Sequence, residues 1–438
     1  LVGEASDYRR DPRQAPPSCQ IDMIPTCGSV RLESVHGDHP YSCIAGPDTV
    51  PDLLLGRLSV ATAEELTTAI AKLLRYEAQP AGEWASRALY VLDDNEEFPR
   101  VAAHIVHGAA APPLFVRMFR ESDYPYVPNE RVYGKRRSRE ATAALLRQLD
   151  SGLGFVNYFG HGGPNLWSHE RLLHIMDLAS LHEPSRLPLI ACASCDNAWF
   201  DYPMPPVRTS MGELLVKQPQ GGAVAVFAPV SGATPYEHQN LMMYLLEGIT
   251  RTPLRAAGEL GLYAKISYYA QTLSPSVPEQ YVLVGDPAVE MKIPRITGTL
   301  HVEPAVIEPD SLASIDVLAT GLPEDCSTAT LHIISIAPND EVLSRPVALM
   351  RGRTSAVVSL DGVPTGAYGV VLKCTDSAGV AHFFTGRFDA LPRHIAFDEE
   401  ALAQLAKRVV GSTETVRTPL TTFNPTPIDG VEAALRAT

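Results

Sequence analysis

The sequence has no long basic stretch. Lysine and arginine number 36 against 50 aspartates and glutamates, a formal net charge of −14, and the longest basic run, GKRRSR at 134–139, reads as a loop. Nucleic acid and anionic membrane surfaces are therefore not expected as partners. No apolar run nears the roughly 18–20 residues of a membrane helix, so no membrane span is expected. The opening LVGEASDYRRDPR lacks the basic start and apolar core of a secretory signal. It reads as the end of a strand followed by a loop, which suggests truncation or processing. Cysteine is sparse, seven scattered residues; an odd number leaves one unpaired within the chain and argues against a disulfide framework. No internal repeat and no D-x-D-x-D-G calcium loop occurs, and neither a metal nor a cofactor is expected.

The rest is ordinary for a globular protein: 438 residues, 45% hydrophobic and 20% charged, enough for more than one core. Up to about residue 293, short apolar strands alternate with helical stretches. TAEELTTAIAKLLRYE (62–77) reads as a helix with Thr62 as N-cap, Glu65 three residues on, and a stripe of Leu66, Ile70, Leu73 and Leu74. RALYVLDD (87–94), PLFVRMF (113–119), LGFVNYFGHGG (153–163), LPLIACASC (187–195) and GAVAVFAPVSG (222–232) read as strands, and SREATAALLRQLDSG and HQNLMMYLLEGIT as helices. Continuous apolar strands between helices predict a parallel sheet covered on both faces. In such sheets ligands bind beyond the carboxyl ends of the strands, and Asp93, Asp94, His161, Cys195 and Ser231 fall there.

After MKIPRITGTL (291–300) the pattern changes to short strands separated by Gly, Pro and Asp turns, including LASIDVLAT, TATLHIISI, SAVVSL, GAYGVVLKCTD and AHFFTGRF. This predicts a small immunoglobulin-like β-sandwich over 294–392. For Cys326 and Cys374 a cross-sheet disulfide and two separate thiols are both open. The tail, 393–438, carries one amphipathic helix, DEEALAQLAKRVV (398–410), and then reads as poorly ordered.

The stretch PLIACASCDNAWFD (188–201) holds Cys192 and Cys195, three apart. A redox C-x-x-C pair opens a helix, whereas Cys192 lies inside an apolar strand, where burial leaves a thiol inert. A zinc site needs a second ligand pair, and His174 and His182 do not complete one. Cys195 sits where the strand ends and its thiol can face a cleft. A thiol nucleophile needs a base and an oxyanion site; NYFGHGG (157–163) offers His161 and, in Gly162, a backbone N–H free to approach substrate. His104 and His107 fall on a helix surface, and His169 on a loop.

These segments together, NYFGHGG, LPLIACASCDNAWFD, SMGELLV (210–216), GGAVAVFAPVSG (221–232) and YVLVGDPAVEM (281–291), resemble the gingipain-type cysteine peptidases of the caspase-like clan. PDLLLGRLSVATAEEL and LVGEASDY are similar to sortase-like members of bacterial secretion systems. The resemblance covers about 1–293 and implies a caspase-like α/β sandwich with a mostly parallel sheet, followed by an immunoglobulin-like domain. It implies a cysteine endopeptidase, with Cys195 as nucleophile, His161 as catalytic histidine, the N–H groups of Gly162 and Cys195 as oxyanion hole, and Asp94 or Glu97 orienting the histidine. Ser231, Trp199 and Asp201 are the expected substrate-cleft residues, and acids at Asp93, Asp94, Glu96, Glu97 or Asp201 would favour a basic P1 side chain. The implied partners are a protein or peptide substrate and an N-terminal pro-segment removed from a zymogen, in an extracellular or cell-surface bacterial setting. Ala198 and Trp199 and the MPPVRT insert (204–209) depart from the family pattern, so specificity does not carry over. Transpeptidation through the same acyl-enzyme, a non-catalytic binding module and a thiol oxidoreductase are the alternatives.

Overall fold

The computed structural model describes residues 1–3, 24, 27–28, 36–109, 114–127, 130–132, 135–201, 209–294, 296–307, 312–323, 326, 328–335, 341–348, 353–359, 366–377, 381–390, 396–397, 416–421 and 427–435. They divide into two compact units, one holding Leu1–Thr297 with two short later stretches and one beginning at Gly298.

The first unit is built on six strands: β1 (Arg87–Leu92), β2 (Phe115–Arg120), β3 (Phe155–Phe159), β4 (Leu189–Ala193), β5 (Ala225–Pro229) and β6 (Tyr281–Val284), in the order β6-β5-β4-β3-β1-β2. Every neighbouring pair is parallel except β5 with β6. The strands lack polar alternation because both faces are covered. Tyr90, Phe155, Ala191 and Phe227 face one core with helices α2 (Glu97–Ala109), α5 (Pro235–Arg251) and α6 (Ala257–Thr272). Their neighbours Leu89, Val156, Cys192 and Val226 face a second core with α3 (Arg139–Asp150) and α4 (Met211–Lys217). The mixed, mostly parallel α/β sandwich is the expected one.

Helix α1 (Ala63–Ala78) begins where expected, Thr62 Oγ1 accepting the Glu65 N–H at 3.1 Å. Its buried face is not the leucine stripe: Ile70 and Leu74 are exposed, whereas Ala69, Lys72 and Tyr76 are buried. Polar anchors set this rotation. Lys72 Nζ donates to the Leu215 and Val216 carbonyls at the end of α4, 2.8 and 3.1 Å away, and Tyr76 Oη accepts the Lys292 N–H at 2.9 Å. A helix C-terminus attracts a cation, and burial lowers the Lys72 pKa to about 7.

Two buried histidines make the fold acid-sensitive. His238 on α5 meets Tyr281 Oη at 2.6 Å, and burial lowers its pKa to about 4. His39, wedged between the Thr49 carbonyl and Lys265 Nζ, is lowered to about 3, by burial first and then by Lys265. Above the ordinary histidine pKa both are neutral folded or unfolded. Below it only the unfolded chain takes up protons, so stability falls from about pH 6.5 towards pH 4, by about 3 kcal/mol for His238 alone. Denaturant melts across that range check this: His238→Gln should flatten the slope, and an unchanged slope would refute the assignment.

The second unit is β-structure with both antiparallel pairs and one short parallel pair, Val306–Ile307 with Asp389–Ala390. Strands β7 (Ile296–Glu303), β8 (Leu312–Ala319), β9 (Thr328–Ser335), β10 (Glu341–Ala348), β11 (Arg353–Ser359), β12 (Gly366–Thr375) and β13 (Ala381–Ala390) run in the order β10-β9-β12-β13-β7-β8-β11, with Val306–Ile307 beside β13. β7 and β8, β8 and β11, and β9 and β10 pair antiparallel. β10 is not among the strands expected from the sequence, its pattern being interrupted by Pro346; it is an edge strand, where proline is tolerated. Cys326 and Cys374 are both disulfide-bonded. Instead of the disorder expected of the tail, Ala396–Phe397, Val416–Thr421 and Pro427–Leu435 form an antiparallel sheet; cross-strand pairing satisfies backbone groups in a way that composition does not reveal. The helix expected over 398–410 lies outside the described residues. Among the described residues no helix is long and apolar enough to cross a membrane.

Candidate active site

Register brings four strand ends to one level. Leu92 of β1 pairs with Phe159 of β3, and Phe159 with Ala193 of β4; Ala191 pairs with Phe227 of β5. Asp93, His161, Cys195 and Ser231 therefore leave the sheet side by side at its carboxyl edge, the ligand-binding edge of such sheets.

The His161 segment is held from beneath. Buried Asp93 accepts the His161 N–H on Oδ2 and the Asp94 N–H on Oδ1, both at 2.7 Å. Tyr158 Oη donates to the His161 carbonyl and accepts the Ser168 N–H at 2.7 Å, and its ring stacks on Trp167 with centroids 4.4 Å apart. Gly162–Gly163 then folds back on Leu166–Trp167. Ser168 N–H also donates to the His161 carbonyl at 2.8 Å. Antiparallel pairs alternate between bonded and non-bonded, so the Gly162–Trp167 pair is the non-bonded one and the Gly162 N–H points off the hairpin. The His161 ring lies between Phe98, edge-on at 5.3 Å, and His169, stacked at 4.3 Å.

Cys195 is half-buried in the turn after β4. A side chain at Gly162 would stand 2.7 Å from the Cys195 carbonyl, an approach that requires glycine, and one at Gly232 would stand 3.3 Å from its Sγ, tighter than an ordinary contact. Burial first, and Asp196 second, raise the thiol pKa, while a hydrogen bond from the Ala233 backbone lowers it. Asp196 turns the chain through a left-handed conformation, φ 59°, and burial raises its carboxyl pKa to about 6. Cys192 is fully buried in the sheet, and burial pushes its thiol far up.

Buried Asn197 ties the two halves together. Its Oδ1 accepts the Ser194 hydroxyl at 2.6 Å, and its Nδ2 donates to the Gly163 and Leu166 carbonyls at 2.7 and 3.2 Å. Nothing in the local pattern of CDNAWFD marks Asn197 for this role.

Asp94 Oδ2 accepts the Tyr126 hydroxyl at 3.0 Å, and Glu97 opens α2. Among the described residues neither is hydrogen-bonded to the His161 ring; the acid that touches His161 is Asp93, through the backbone. Asp93 is the first residue past an apolar strand, as Ser194 is past β4, and that position was the available signal. His169 stacks on His161, which its place in a loop did not reveal. Half-buried Ser231 accepts the Asp196 N–H on its carbonyl at 3.4 Å, and its Oγ is buried without a partner. Trp199 is half-buried and Asp201 buried. Between them Phe200 packs under Arg57, 4.6 Å from its guanidinium, and Arg57 is in turn paired with Asp38 at 2.6 Å. Except for Thr209, the MPPVRT insert lies outside the described residues.

The profile of Peptidase family C25 matches residues 1–292. Lys-gingipain of Porphyromonas gingivalis is 27% identical over 188 residues, covering 42% of this chain and 10% of the relative. Gingipain R2 of the same organism is 23% identical over 273 residues, covering 58% of this chain and 35% of the relative. The chain thus spans about a tenth to a third of the length of these relatives. Among solved structures, the Arg-specific cysteine proteinase gingipain R has a TM-score of 0.48 at 16% identity, covering 88% of this chain and 82% of that one. Latent PorU from Porphyromonas gingivalis has 0.30 at 16% identity, covering 90% and 35%.

Proposed function

The chain belongs to peptidase family C25, and from that premise we propose that it is a cysteine endopeptidase whose nucleophile is Cys195 and whose acid–base is His161. The observation that carries this reading is the meeting of two strand ends: the Gly162 backbone, next to His161, packs directly on the Cys195 backbone.

In the proposed cycle Cys195 Sγ bonds to the carbonyl carbon of the scissile peptide and its proton passes to His161. The N–H groups of Gly162 and Cys195 hold the tetrahedral oxyanion. His161 returns the proton to the leaving amine as the C–N bond breaks, leaving a thioester. It then takes a proton from water, whose oxygen attacks the thioester, and the thiol is restored as the acid product leaves. Because burial raises the Cys195 pKa, the thiol rests neutral, so proton transfer to His161 accompanies the attack. Substrate lies extended across the carboxyl edge, with Ser231, Trp199 and Asp201 on the side beyond Cys195. Asp94 or Glu97 is the acid that orients His161 in this reading.

A peptidyl acyloxymethyl ketone should label Cys195 alone, with a rate that rises with pH as the thiol ionises. Absence of label at Cys195, or label at Cys192, would overturn the assignment.

A further inference from the structure

Two aromatic rings hold the His161 ring. Phe98 of α2 meets it edge-on, at 87° and 5.3 Å between centroids, and His169 lies flat on it, at 12° and 4.3 Å. The χ2 torsion of histidine is soft. A hydrogen bond to one ring nitrogen leaves the tilt of the ring free, whereas a plate against its face removes that freedom. His169 is itself exposed, so burial does not account for its place on His161.

The turn that carries His169 does account for it. Ser168 and Arg171 both adopt the left-handed conformation, φ 63° and 59°, which is strained for a residue other than glycine and persists only where the surroundings enforce it. Here Ser168 is fixed at every polar group. Its N–H donates to the His161 carbonyl and to Tyr158 Oη, at 2.8 and 2.7 Å. Its hydroxyl accepts the Glu170 N–H at 3.1 Å and donates to the Glu170 carboxylate at 2.6 Å. Its carbonyl accepts the Arg171 N–H at 3.1 Å. The strained turn is thus pinned to the His161 backbone, and the exposed side chain it presents between its two left-handed positions is His169. Strain of this kind concentrates at functional sites. We propose that His169 is a positioning residue for the peptidase reaction, its ring holding the plane of His161 while the proton passes from thiol to leaving amine. It acts through His161 and takes no proton itself. The proposal rests on the reading of His161 as the acid–base.

The test assays the full chain on a peptide substrate. His169→Ala should lower kcat about tenfold with KM within about twofold, and should leave the melting temperature unchanged, because the side chain it removes is exposed. His169→Phe keeps a flat ring without a nitrogen and should recover most of the loss. His169→Gln keeps a polar group without a ring and should not. Nuclear magnetic resonance of isotope-labelled histidine gives a readout independent of turnover. Stacking should shift the His161 ring protons upfield; the alanine and glutamine variants should lose that shift, and the phenylalanine variant should keep it. Wild-type kcat in His169→Ala, kcat that follows melting temperature instead of the presence of a ring, or a glutamine variant as active as the phenylalanine one overturns the proposal. Labelling by the acyloxymethyl ketone separates the two readings. A wild-type chain labelled at Cys195, with turnover indifferent to His169, sinks this proposal alone; a wild-type chain unlabelled at Cys195 sinks both.

Discussion

Cys195→Ala is expected to lower kcat on the order of 100,000-fold, as loss of a covalent nucleophile does, while Cys192→Ala keeps turnover within a few-fold. The two thiols differ in surroundings, not in kind. Cys192 points into the α3–α4 core and is wholly enclosed; a thiolate there would be formed without solvent, and no substrate could reach it. Cys195 is half-buried at the carboxyl edge, with Gly232 against its sulfur and Gly162 against its carbonyl. Cys192→Ala should instead cost stability, about 1–2 kcal/mol for the void left in a packed core. Hydrolysis of a peptide library and melting curves separate the two effects. Turnover retained by Cys195→Ala and lost by Cys192→Ala would reverse the assignment, and the C-x-x-C spacing would then need a redox account.

What could be read in the sequence was what local pattern dictates. Unbroken apolar runs predict the parallel sheet, and the rule that such sheets work at their carboxyl ends points to Asp93, Asp94, His161, Cys195 and Ser231. The face of α1 was not legible, because Lys72 and Tyr76 are drawn inward by carbonyl and N–H groups more than 140 residues away in the chain, and no periodicity encodes a distant acceptor. The meeting of buried Asp93, Glu121 and Glu170 is not legible for the same reason: its members follow three separate elements, and only the fold assembles them. Asp94 and Glu97 are the acids of LDDNEEF that the resemblance offers to serve His161; the strand end buries the acid before them, Asp93, and leaves both half-buried. Asp93 thus supports the histidine's backbone, which side-chain reasoning alone would not suggest.

Asn197→Ala should lower kcat about 100-fold with little change in KM, and should destabilise the fold by about 2–5 kcal/mol. The side chain is fully buried and makes three hydrogen bonds: one to the Ser194 hydroxyl, on the cysteine side, and two to the Gly163 and Leu166 carbonyls, on the histidine side. Alanine leaves buried polar groups on both sides unpaired, at about 1–3 kcal/mol each. It also releases the hairpin that carries His161 from the turn that carries Cys195. A shift of about 1 Å between reacting groups is enough for a 100-fold loss, and it falls on the chemical step because Asn197 is enclosed and meets no substrate. Asn197→Asp sharpens the test. The carboxylate still accepts from Ser194 but places charge against two carbonyl oxygens, so at neutral pH it should be at least as damaging as alanine. Lowering the pH protonates it and restores one donor, so part of the lost kcat should return relative to wild type at the same pH, over a range where His238 does not yet unfold the chain. A structural residue remote from the chemistry would lower the melting temperature without this pH-dependent rescue of kcat. A variant that melts early yet turns over at the wild-type rate would show that the two strand ends hold their alignment without Asn197.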